Sequence, residues 1–219
     1  MLRVRLIILL VLCFPLPPGL SAQTADTSDR KTSQPYTGDL SIFESPGRDE
    51  RLQIDRVMEI LGITSGKNIA DIGAGSGWFT VRAARRVKPD GAVYAVDINP
   101  EAVRYIKNRA AREKLSNIQT VLGQTEDPLL PAASIDAVLL LKTYHEVAHP
   151  VALLRNLRTA LRPGALVGII DRNGNGENHG VAREVVVREA SEAGYSLVET
   201  YDFVKPDDMD YFLVFNVHH

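Results

Sequence analysis

Ile69-Ala70-Asp71-Ile72-Gly73-Ala74-Gly75-Ser76-Gly77-Trp78-Phe79-Thr80 is an apolar strand that ends in an acid, passes through three alternate glycines and opens a helix. The glycines allow a tight turn and let a ligand press against main-chain N–H groups at the start of a helix. Spacing narrows the choice of ligand. A dinucleotide fingerprint reads G-x-G-x-x-G, with pyrophosphate on the helix N-terminus; here the third such position is Trp78, and the glycine falls one residue early, at Gly77. A dinucleotide, and with it an oxidoreductase, is therefore disfavoured.

The next signal lies about twenty residues on, where Val93-Tyr94-Ala95-Val96-Asp97-Ile98 reads as a second strand ending in an acid. A carboxylate there can accept hydrogen bonds from both hydroxyls of a ribose. Asp71-Ile72-Gly73-Ala74-Gly75-Ser76-Gly77 together with Asp97 resembles the class I S-adenosylmethionine-dependent methyltransferases, and the resemblance covers about residues 43 to 217. It implies S-adenosylmethionine as cofactor, with Asp71, Gly73, Ala74, Gly75 and Gly77 under its methionine part and Asp97, followed by Ile98, at its ribose. The adenine contact would fall on Gln124 and Thr125, although Gln124 stands where that family more often has Asp.

Around this motif the pattern alternates: strand 67–72, helix 77–87, strand 92–97, helix 100–114, strands 118–122 and 135–141, helix 150–161, strand 165–171, helix 181–193, then strands 196–204 and 210–217. Alternation of this kind implies an α/β fold with a doubly wound, mostly parallel seven-stranded sheet covered on both faces. Pro89-Asp90-Gly91 and Arg162-Pro163-Gly164 separate helix from next strand. Only a few residues around Pro206-Asp207-Asp208 join the last two strands, too few for a crossover, so these close the sheet as an antiparallel hairpin. Ahead of the first strand, Ile54, Val57, Met58 and Leu61 fall at helical spacing within 49–61, predicting one amphipathic helix that ends at Gly62.

The composition, 45% hydrophobic and 24% charged over 219 residues, is that of one globular catalytic domain, placed here at 40–219. A formal charge of −2 with acids and bases interspersed gives no basic stripe, so nucleic acid is not indicated as a partner. Residues 1–22 read as a signal peptide: Arg3 and Arg5, an apolar run from Leu6 to Phe14, then Ser21-Ala22 as a cleavage site. The alternative is an uncleaved membrane anchor. Cleavage would take the formal charge from −2 to about −4 and remove Cys13, the only cysteine, which suits an exported, oxidising location. Export pulls against a cofactor made in the cytoplasm, and no twin-arginine pair is present, since Val4 separates Arg3 from Arg5. Residues 23–39 are polar and read as a flexible linker.

Ligands of open α/β sheets bind beyond the carboxyl ends of the strands. After the fourth strand comes Lys142-Thr143-Tyr144-His145-Glu146-Val147-Ala148-His149-Pro150, the expected acceptor wall. Methyl transfer is an in-line displacement, so the protein must align a nucleophile and, for an O–H or N–H acceptor, remove a proton. His145 is the expected base and Tyr144 an orienting hydroxyl. His145-Glu146-x-x-His149 also spells a zinc metallopeptidase helix, but Pro150 pushes His149 out of the α region, so the match reads as accidental and no metal site is assigned. After the fifth strand, the glycine-rich loop 171–180 brings His179 toward the same cleft, with Asp171 and Arg172 expected to pair with each other. Arg48 is a candidate carboxylate holder, and Trp78 and Phe79 are read as packing residues. The expected substrate is a small molecule; the rival reading is an exported binding protein that keeps the fold without catalysis.

Overall fold

The structure, a computed structural model, describes residues 30, 32, 36, 38–175 and 178–217. The expected signal segment and most of the expected linker lie outside the described residues. Seven strands form one sheet: β1 (Ile69–Ile72), β2 (Val93–Asp97), β3 (Ile118–Leu122), β4 (Ile135–Leu141), β5 (Leu161–Asp171), β6 (Tyr195–Tyr201) and β7 (Tyr211–Val217). Their spatial order is β3-β2-β1-β4-β5-β7-β6. The first five run parallel, and β7 inserts antiparallel between β5 and β6. This is the doubly wound sheet with an antiparallel hairpin that the alternation predicts.

Side-chain direction alternates along a strand, and here the alternation divides the core in two. Ala70, Ile72, Val138, Leu140, Val167, Ile169 and Leu213 pack on one face with α5 (Pro150–Ala160) and α6 (Arg183–Glu192). Ile69, Ala137, Leu139, Ile170, Phe212 and Val214 pack on the other with α2 (Ile54–Ile60) and α3 (Trp78–Arg86). β1 is buried along its whole length, as a central parallel strand must be. Helix α4 (Pro100–Arg112), capped by the Asn99 side chain, places Ile106 against Ala74 and Ala95.

Besides end shifts of up to three residues, as in strand 196–204, observed as Tyr195–Tyr201, two boundaries differ from expectation. The single helix 49–61 is broken into α1 (Arg48–Leu52) and α2 by Gln53, whose φ of +50° no continuous helix permits. Its side-chain amide donates to Phe203 O at 3.3 Å, a tertiary contact that local periodicity does not encode. The Arg162-Pro163-Gly164 punctuation is taken into the start of β5, because Leu161 already pairs with Ile135 ahead of a register shift. Among the described residues, no helix is long and apolar enough to cross a membrane.

Candidate active site

Parallel strands bring the turns after β1 to β5 to one edge of the sheet, where they enclose a cavity of about 550 Å³. That volume lies within the usual range for small-molecule sites. Of the expected cofactor residues, Asp71, Gly73, Ala74, Gly75, Asp97, Ile98, Gln124 and Thr125 line it. Gly77 does not: it caps α3 with φ +72°, and a Cβ there would meet Ile106 at 3.0 Å. Its role is corrected to packing the turn against α4.

The glycine turn is fixed from behind. Gly73 N and Ala74 N both donate to Val96 O, at 2.9 and 3.0 Å. Gly73 has φ +71°, and a Cβ on it would run into the Thr143 side chain at 2.2 Å, so the turn after β1 fits directly against the turn after β4. Gly75 faces the cavity, where an added Cβ would find only Phe43 at 3.8 Å. Asp97 accepts from Gly75 N through Oδ2 and from Asn99 N through Oδ1, each at 2.9 Å. Each oxygen keeps lone-pair capacity for a ligand hydroxyl. Burial raises the Asp97 carboxyl above its ordinary range, with the Asn99 and Gly75 amides working against it.

Asp71 lies deeper. It accepts from Thr80 Oγ1 at 2.5 Å, and burial pushes its carboxyl up to about 7, opposed by the Thr80 bond and by Arg48 and reinforced by Asp97. Ser76, which also lines the cavity, has a buried hydroxyl oxygen with no hydrogen-bond partner among the described residues. Backbone open at Gly75, spare acceptor capacity on Asp97, the unsatisfied Ser76 hydroxyl and the half-exposed apolar Ile98 (49%) together fit a nucleoside carrying an amino-acid tail.

The opposite end of the cavity is built by the turns after β4 and β5. A 3₁₀ turn, Tyr144–Glu146, buries His145. Its Nδ1 lies 2.8 and 3.0 Å from the two oxygens of fully buried Asp171, and its backbone N donates to Asp171 Oδ2 at 3.0 Å. A carboxylate only accepts, so Nδ1 carries a proton, and in the neutral ring Nε2 is the acceptor. Nε2 is 3.8 Å from Glu146 Oε1, and the His179 ring stands perpendicular to the His145 ring with centroids 5.8 Å apart. Burial raises the Glu146 carboxyl above its ordinary range, with His145 pulling the other way.

Three expectations are corrected here. Tyr144 is fully buried and does not line the cavity: its hydroxyl donates to Glu189 Oε2 at 2.9 Å, and Arg30 closes that network with 2.8 Å to Glu189 and 2.7 Å to Val147 O. It supports the His145 turn from behind instead of orienting an acceptor. Asp171 pairs with His145 instead of the Arg172 side chain; Arg172 contributes only its backbone N, at 2.9 Å. Arg48 does line the cavity but already donates to Asp207 at 2.8 Å and stacks over Trp78 at 4.5 Å. His149 lies at the start of α5, with Nε2 3.7 Å from Glu126, apart from the His145 cluster. Sequence reasoning passed over Ser76 and the partnership of Asp171 with His145. The second was discoverable: an acid ending β5 must lie beside the turn that follows its parallel neighbour β4.

A family model described as a methyltransferase domain matches residues 63–196, more than half of the chain, and the chain belongs to that family. Solved proteins of the S-adenosylmethionine-dependent class share its fold. A solved S-adenosylmethionine-dependent methyltransferase from Aquifex aeolicus shares the fold with a TM-score of 0.73 at 22% identity, covering 82% of this chain and 98% of that one. Aeropyrum pernix fibrillarin, solved with natively bound S-adenosyl-L-methionine, aligns with a TM-score of 0.58 at 16% identity, over 76% of this chain and 73% of that one. Among curated proteins, the protein-L-isoaspartate O-methyltransferase of Pyrococcus horikoshii is 30% identical over 95 residues, 43% of this chain and 42% of that protein. The ubiquinone/menaquinone biosynthesis C-methyltransferase of Pseudomonas putida is 29% identical over 115 residues, 52% of this chain and 45% of that protein. The chain thus spans under half the length of these curated relatives.

Proposed function

We propose that this protein transfers a methyl group from S-adenosylmethionine to a small-molecule acceptor bound between the glycine turn and His145. The observation that carries the reading is the cavity itself, with an acidic nucleoside-type pole at Asp97 and a polar pole at His145 on opposite walls. Bound S-adenosylmethionine supplies an electrophilic methyl carbon on a sulfonium. Asp97 holds the ribose hydroxyls, Gly75 admits the ligand against the main chain, and Gln124 and Thr125 flank the base. At the other pole Asp171 orients His145, whose Nε2 takes the proton of an acceptor O–H or N–H, a contribution worth about 10²- to 10⁴-fold in general. The lining of mixed charge, with no basic stripe in the sequence, supports a small acceptor over nucleic acid. The N-terminal run of Arg3, Arg5 and apolar residues to Phe14 supports export of the chain, which cell fractionation with an epitope at the C-terminus would test.

The test of function is transfer of labelled methyl groups to a panel of hydroxyl, amine and carbon acceptors. His145→Ala should lower turnover by at least about tenfold while S-adenosylmethionine affinity stays within a few-fold. A comparable loss of affinity would remove His145 from the acceptor pole.

A further inference from the structure

We infer that His145, Glu146 and His179 form a binding site for one divalent first-row transition ion, of which Zn²⁺ is the representative. Each offers one ligand atom, and the three atoms lie within 4.8 Å of one another on the cavity wall. Bonds of about 2.0–2.2 Å to nitrogen and oxygen in tetrahedral geometry place ligand atoms about 3.3–3.6 Å apart, so the cluster closes on an ion by side-chain movements of little more than an ångström. Two imidazoles and one carboxylate suit zinc or iron(II); the all-oxygen preferences of Mg²⁺ and Ca²⁺ do not fit them.

The residue behind the cluster strengthens the assignment. Metal-bound histidines characteristically donate their other ring N–H to a carboxylate, which fixes the tautomer and raises ligand basicity. Fully buried Asp171 does this for His145 at 2.8 Å, and it also accepts the backbone N–H groups of His145 and Arg172, so Nε2 is held toward the cavity before any ion arrives. Glu146 follows His145 within the same 3₁₀ turn, and His179 arrives from the loop after β5 with φ +57°. The His-Glu-x-x-His spelling in the sequence thus names two of the ligands and the wrong third: the fold supplies His179 in place of His149.

Three protein ligands leave coordination positions open to the cavity. The consequence for catalysis rests on the methyl-transfer reading and replaces the proton-accepting role of His145 whenever the ion is bound: Nε2 of His145 then serves as ligand, and an acceptor oxygen binds the ion and loses its proton to water. The oxygen then displaces the sulfonium sulfur, the C–S bond breaks with its electron pair going to sulfur, and the ion is unchanged. Ion binding itself does not depend on that reading.

The test is calorimetric titration of the full, untagged, chelator-treated chain with Zn²⁺, with Co²⁺ absorption to report the ligand set and S-adenosylmethionine titrated separately. One equivalent of Zn²⁺ should bind at micromolar dissociation constant or tighter. His179→Ala and Glu146→Gln should each weaken it at least about 10-fold, as is usual when a site loses support, while His149→Ala leaves it unchanged and all three keep their melting transitions. No saturable Zn²⁺ binding by the folded chain, binding indifferent to His179→Ala, or loss in His149→Ala would overturn the site. Zn²⁺ binding without S-adenosylmethionine binding would instead count against the methyl-transfer reading and leave the ion site standing.

Discussion

The two poles of the cavity are built in different ways. The polar framework of the cofactor pole lies within residues 71–99, with only Gln124 and Thr125 added from the turn after β3: Gly75 N reaches Asp97, Thr80 reaches Asp71, and Ala74 N reaches Val96. The acceptor pole depends on contacts from distant stretches of chain: Asp171 on His145, Glu189 on Tyr144, and Arg30 on the carbonyl of Val147. A locally encoded site tolerates change elsewhere in the fold, whereas a pole assembled across β4 and β5 can be altered by one buried residue.

Substitution of Asp171 should break the comparison most strongly. Asp171→Ala strips the partner from buried His145 and leaves two backbone N–H groups without an acceptor. Loss of a buried polar hub of this kind costs about 3–5 kcal/mol. Chemical denaturation should show that loss, while S-adenosylmethionine affinity of the folded fraction stays within a few-fold; equal loss of both would mean the poles are not separable.

Asp71 tests the cofactor pole through pH. Its carboxyl is raised from 3.8 to about 7 by burial, with Thr80 on α3, Asp97 on β2 and Arg48 on α1 as the facing groups. The native state therefore binds a proton that the unfolded state has released between those values. Stability attributable to this group is present below about 4 and is lost as pH rises to about 7, by at most about 4 kcal/mol. Asp71→Asn, neutral and of the same shape, should remove that slope, so its melting temperature relative to the parent should rise from pH 4.5 to pH 7.5. A constant difference across that range would show that Asp71 is ionised throughout.

Gly73→Ala probes the seam between the poles. The substitution combines a left-handed φ with a collision against Thr143, for a cost of about 2–3 kcal/mol. Adding Thr143→Ala should recover only part of the packing cost, because the Cβ of residue 143 would still lie 2.8 Å from the new methyl and the backbone strain would remain. Tyr144→Phe has the smallest expected effect. It removes one hydrogen bond to Glu189, for about 1 kcal/mol, and should leave cofactor affinity unchanged, since the hydroxyl points away from the cavity.

The same contrast explains what could be read in the chain. The glycine turn, Asp97 and the alternation of strands and helices are contiguous patterns, and the sheet they predict is the one observed. The break at Gln53 is not contiguous information: the apolar spacing continues through it, and what stabilises its left-handed backbone lies at Phe203. Tyr144 was misplaced for a related reason, because a 3₁₀ turn sends adjacent side chains in divergent directions, His145 toward the cavity and Tyr144 into the core. Gly77 resembles its neighbours in sequence, yet only the position of Ile106 on α4 shows that it packs instead of facing a ligand.

The central claim is that the turn after β1 and the acid ending β2 hold S-adenosylmethionine. Calorimetric titration of the full chain and of Asp97→Ala, each with S-adenosylmethionine and with NAD, addresses it directly. The account predicts micromolar S-adenosylmethionine binding, no comparable NAD binding, and an affinity at least about 100-fold weaker in Asp97→Ala, the equivalent of two charge-assisted hydrogen bonds. Tighter binding of NAD, or S-adenosylmethionine binding that survives Asp97→Ala intact, would contradict it.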